Sequence, residues 1–160
     1  MIKGWRRGFN SQGGKMVVVE DTKKKMIPMG KVSKGVRGFI LGGKSEFTIS
    51  QSNSIKYKYE VVSNKEGNLW FVYMNKKYQG YVRNTYSGYS FFVGNKGNKD
   101  YDTNAINGLL WVLNRGDNIP EEVQVLHHGK CSVCGRPLSD AESLAWGVGP
   151  TCRQRIGVYK

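Results

Sequence analysis

Thiols and imidazoles are scarce in this chain of 160 residues: three cysteines and two histidines, all lying between positions 127 and 152. An odd number of cysteines crowded into one corner fits a reducing compartment better than a disulfide framework. Long apolar runs are absent too, and without a stretch of about 18 apolar residues no segment reads as a membrane-spanning helix. The opening MIKGWRRGFNSQGG is basic and glycine-rich, with no apolar block of signal-peptide length, so a cytoplasmic protein is expected. Acidic residues are few, 12 against 25 Lys and Arg, which leaves a formal charge of +13.

That charge is uneven. Residues 1–60 carry 13 Lys and Arg against the four acids Glu20, Asp21, Glu46 and Glu60. Such asymmetry favours an acidic partner, most simply nucleic acid, through counterion release. Solubility alone is the competing explanation.

Three regions are expected. Residues 1–35 form a basic, weakly structured arm in which glycines break any period and Lys23, Lys24 and Lys25 repel one another. MVVVE at 16–20 is its one strand candidate. Trp5, Arg6 and Arg7 combine an aromatic ring with cations and can either stack on bases or dock back on the body.

Residues 36–120 read as a β-rich domain with one covering helix. VRGFILGGKSEFTIS suggests two short strands around Gly42-Gly43, and IKYKYEV alternates with Ile55, Tyr57, Tyr59 and Val61 on one face. LWFVYM, apolar on both faces, suits a central strand, and YQGYVRN and SFFVG complete five or six strands. A helix over about 103–115 follows, capped by Asp102 or Thr103, with Ala105, Ile106, Leu109, Leu110 and Leu113 at helical spacing, broadened by Trp111 and Val112. NIPEEVQVL leads, as a short strand, into the third region, 121–160. The expected fold is α+β: a small antiparallel sheet, OB-like or curled, packed by one helix and followed by a zinc-knuckle module.

Cys131 and Cys134 make a C-x2-C knuckle with Gly135 just after it, Cys152 18 residues further on, and a histidine four residues before Cys131. Three sulfurs and one imidazole fit one tetrahedral, structural Zn(II) with a closed shell. In SDAE, Ser139 and Glu142 fit a capping box, and Pro150 suits the first turn of a terminal helix that presents Cys152. Catalysis fits poorly, because four ligands close the shell. An HNH-like metal nuclease using His128 as base wants a further His or Asn and an Asp, and a redox dithiol wants its C-x-x-C at the start of a helix.

These residues resemble an uncharacterised family of small proteins from bacteriophages and their bacterial hosts, whose members end in H-x3-C-x2-C-G-R-x-L-[ST]-x-x-E-S-[IL]-x-x-G-[IV]-G-P-x-C. His127, Cys131, Cys134, Gly135, Arg136, Leu138, Ser139, Glu142, Ser143, Leu144, Gly147, Val148, Gly149, Pro150 and Cys152 carry the match. Weaker similarity reaches upstream, so that it spans roughly residues 38–152. The resemblance implies a zinc-bound tail after a small β domain, with His127 rather than His128 as the fourth ligand; if the protein is phage-encoded, the expected cytoplasm is the host's. It implies no activity.

Two functions follow. The first is a non-enzymatic accessory protein that binds nucleic acid, preferably single-stranded, through its arm and a β surface in which Tyr57, Tyr59, Trp70, Tyr73, Tyr78, Tyr81, Tyr86 and Tyr89 interleave with Lys56, Lys58, Lys76, Lys77 and Arg83. The cations are the stronger candidates, because alternation alone does not separate core rings from exposed ones. The second is a phage-encoded inhibitor or adaptor that binds an acidic host protein, such as a defence or transcription factor.

Overall fold

A computed structural model describes residues 26–28, 35–51, 55–115 and 119–156. The proposed contacts of Trp5, Arg6, Arg7, Lys23, Lys24 and Lys25, and the strand at 16–20, lie outside them.

The protein has an α+β fold built on a seven-stranded, wholly antiparallel open sheet. Its strands are β1 (Ile27–Pro28), β2 (Lys44–Gln51), β3 (Ile55–Ser63), β4 (Trp70–Met74), β5 (Lys77–Thr85), β6 (Gly88–Phe92) and β7 (Val123–His127), in the spatial order β1-β7-β2-β3-β4-β5-β6. β1 and β6 are the edges, so the sheet does not close into a barrel. β7 inserts between β1 and β2, so the region expected to begin at 121 contributes a strand to the sheet.

Alternation sorts the faces. Phe47, Tyr59, Val61, Val72, Val82 and Val125 are buried on the inner face. Against them packs α2 (Thr103–Arg115), burying Ala105, Ile106, Leu109, Val112 and Leu113. Each of the larger side chains, such as Ile106 or Leu109, stabilises the fold by about 1.5–3 kcal/mol on leaving water. Tyr59 ties sheet to helix by donating its hydroxyl to the Ala105 carbonyl at 2.7 Å. Asp102 is the cap, accepting from the Ala105 amide at 3.1 Å, and Trp111 turns outward at 39% exposure with Arg115 over its ring.

One segment departs from the expected pattern. Residues before Gly42-Gly43 form not a strand but the helix α1 (Gly35–Ile40), which buries Phe39 and Ile40. A helix brings these two adjacent side chains into the same core, where a strand would point them to opposite faces. Gly42 then passes so close to the knuckle that a Cβ there would meet the Ser132 hydroxyl.

Between β4 and β5, Asn75 and Lys76 both have positive φ, 53° and 62°, the signature of a type I′ hairpin turn. A bulge at Val72/Tyr73 follows in the ladder. It keeps Tyr73 opposite Tyr78 and Phe71 opposite Tyr81.

Candidate functional site

The thiol cluster is assembled from three pieces. The knuckle is a tight turn: the Gly135 amide donates to the Cys131 carbonyl at 2.9 Å, the Cys131 amide to the Arg136 carbonyl at 2.8 Å, and Gly135 takes φ 82°. α3 (Ala141–Trp146) crosses the excursion and ends at Gly147, φ 73°. α4 (Pro150–Ile156) opens on Pro150 and carries Cys152. The cap of α3 differs from the capping-box expectation: Asp140, not Ser139, accepts the Ser143 amide at 3.0 Å, and Glu142 pairs with Arg153 at 3.7 Å.

The sulfurs of Cys131, Cys134 and Cys152 lie within 4.8 Å of one another, a group able to hold a metal ion. Cys131 and Cys152 are buried, and Cys134 is exposed. Burial pushes the Cys131 thiol up, but amides of Gly149, Cys134 and Val133 outweigh it and leave the group below its ordinary value. Burial, together with the neighbouring thiols, pushes Cys152 up to about 11. Three sulfurs competing for protons in one pocket are an arrangement that a cation relieves.

His127 does not join them. Its ring is wholly buried, its Nδ1 accepts the Gly129 amide at 2.9 Å, and its Nε2 lies 2.6 Å from the Leu144 carbonyl. An Nδ1 that accepts carries no proton, so Nε2 is the protonated atom and donates. Both nitrogens are committed to the backbone, and Phe39 packs on the ring at 5.6 Å. The structure does not bring His127, the expected fourth ligand, to the three sulfurs. The ring fastens β7 to α3.

On the other side of the sheet the aromatic residues separate. Tyr57, Tyr59, Trp70 and Tyr89 pack on the core side. Tyr73, Tyr78 and Tyr81 take the outer face, and Tyr86 is exposed at the β5–β6 turn. The register adds two rings that tyrosine counting missed: Phe71, Tyr81 and Phe92 are successive cross-strand partners on β4, β5 and β6. Tyr81 and Phe92 stack at 5.4 Å and 24°, and the Arg83 guanidinium lies 5.0 Å from the Phe92 centroid. A second row pairs Tyr73 with Tyr78 at 5.4 Å. All five rings are half-buried. Phe71, Tyr73, Tyr78, Tyr81 and Lys96 line a shallow cleft of about 600 Å³.

The expected cations divide in the same way. Lys56 and Lys58 pair with Ser50 and Thr48 on the outer face, and Lys76 sits at the turn beside Tyr73. Burial holds the Lys56 ammonium below its ordinary range. Lys77 pairs with Met74, so alternation assigns it to the core side of the sheet margin, away from the rings. Glu46 and Glu60 are cross-strand partners that interrupt the basic surface between Lys58 and Tyr73. Arg83, Lys76 and Lys96 border the aromatic rows.

Residues 123–157 match a family of unknown function (DUF6011). The matched segment starts with β7 and runs through the thiol cluster to the end of α4, so it includes one sheet strand and leaves out the aromatic face. No curated protein and no solved structure matches the chain. Among the described residues, no helix is long and apolar enough to cross a membrane.

Proposed function

We propose that the protein binds single-stranded nucleic acid on the outer face of its sheet, and that a zinc ion in the thiol cluster keeps the C-terminal module rigid against β2 and β7. The observation that carries the first part is the Phe71–Tyr81–Phe92 row across three strands, with Arg83 laid over its last ring. Flat, half-buried rings on the outer face of the sheet offer stacking platforms to unpaired bases, each worth about 1–3 kcal/mol, while neighbouring cations pair with phosphates. A duplex hides its base faces and gains only the charge term. The net charge of +13 adds a sequence-independent, salt-sensitive attraction.

For the ion, three thiolates are soft donors that suit Zn(II), one per chain. The module is braced by the Lys44 amide on the Ser132 carbonyl at 2.6 Å and by the Ser132 amide on the Gly147 carbonyl at 3.1 Å. The protein is read as a binder, with no catalytic group assigned.

Fluorescent single- and double-stranded oligonucleotides titrated at two salt concentrations test the binding. Tighter binding of single strands with a steep salt slope is the expected result. No binding below about 100 μM, the weak end of nonspecific affinity, would reject it and leave the surface to an acidic protein partner.

A further inference from the structure

We propose that the metal centre is a three-sulfur site whose fourth position is filled from outside the chain, by water at rest and by an imidazole or thiol of a partner when one docks. This rests on the reading that the cluster binds zinc.

Donor supply comes first. Beyond the three cysteines the chain has only two imidazoles, His127 and His128. Among the described residues, neither imidazole and no carboxylate joins the three sulfurs in the group whose donor atoms gather within 4.8 Å. His127 reaches the ion only by surrendering the Gly129 amide or the Leu144 carbonyl. Either surrender leaves a buried backbone group unpaired, at a cost of about 1–3 kcal/mol, and the ring is also held by Phe39.

The sulfurs are unequally placed. Cys131 is 1% exposed and accepts the Val133 and Gly149 amides, each at 3.4 Å, so its position is fixed by the backbone without help from a fourth ligand. Cys152 is 6% exposed, whereas Cys134 faces solvent. The trio is thus buried at two of its corners and more open at the third. Zinc with three protein ligands keeps water in the fourth place, and that water exchanges.

Exchange is a simple substitution. An imidazole lone pair forms the new bond as water leaves, or a thiol forms it as its proton passes to solvent, with no change of oxidation state. Lys44, Lys130 and Arg136 are exposed, the last two flanking the knuckle in sequence, and the Lys44 Cδ methylene lies 3.9 Å from where a Cβ on Gly135 would be. Three thiolates on one Zn(II) leave a charge of −1 at the ion, which these cations offset. They favour a donor carried on an acidic segment.

The test uses the full chain loaded with Co(II), whose visible bands report its ligands, titrated separately with imidazole and with 2-mercaptoethanol. Saturable band shifts with both probes are expected, in the wild type and in His127→Gln alike, together with X-ray absorption of the zinc form showing three sulfurs and one oxygen. Bands indifferent to both probes, or imidazole scattering from the zinc protein before any is added, would overturn the open position while leaving the zinc site standing. Failure to take up either ion, read by elemental analysis, would overturn both.

Discussion

The imidazole of His127 on β7 donates to the backbone carbonyl of Leu144 on α3 at 2.6 Å, joining the sheet to the thiol module through a neutral side chain. Replacing it with alanine removes this bond and the one from Gly129 and leaves a cavity, so His127→Ala should cost on the order of 3 kcal/mol. Chemical denaturation measures this, with metal content retained if the residue is not a ligand.

The same residue gives stability a pH dependence. Burial, and to a lesser extent the charge of His128, hold His127 below the usual histidine range, although its bond to Leu144 works the other way. The unfolded chain then binds a proton at higher pH than the folded one. The contribution is present above the unfolded value of about 6.5 and is lost as pH falls towards the lowered folded value. Denaturation curves between pH 7.5 and 5 should show wild-type stability falling further than that of His127→Gln. Parallel curves would remove His127 as the cause.

Asp140 and Ser139 separate two capping schemes. Because Asp140 accepts the Ser143 amide, Asp140→Ala should destabilise by about 1 kcal/mol and Ser139→Ala by much less. Thermal melts of the two variants decide this, and the reverse ranking would restore the capping box.

How far the sequence could be read is visible in particular residues. The alternation of Tyr57, Tyr59 and Val61, and the period of Ala105, Ile106, Leu109 and Leu113, place a strand and a helix correctly because one face of each is buried. The C-x2-C spacing, with Cys152 following, locates the thiol cluster because sulfurs able to share one ion must converge. What local pattern could not carry is non-local. Phe39 and Ile40 look like strand residues until α2 and Gly147 pack against α1, and β7 reads as a short strand whose place between β1 and β2 only the fold defines. His127 looks like a ligand by spacing, but its partners, Gly129 and Leu144, are defined only by the fold. The row Phe71, Tyr81 and Phe92 depends on a register that a bulge resets.

Removing the ion should loosen the module. Ligand linkage of about 3–4 kcal/mol, at roughly 2–4 °C per kcal/mol for a chain of this size, predicts that a strong chelator lowers Tm by on the order of 10 °C. Cys134→Ser should lower Tm and zinc content together. A melt indifferent to both changes would contradict a stabilising site.

The aromatic row is the centre of the account, and Tyr81→Leu with Phe92→Leu tests it most directly, because leucine keeps apolar bulk while removing both stacking faces. Binding of a fluorescent single strand should weaken by about tenfold or more, given roughly 1–3 kcal/mol per stacked base, with the salt slope unchanged and the variant still folded. Undiminished affinity in that folded double variant would contradict the proposal that this face holds the bases.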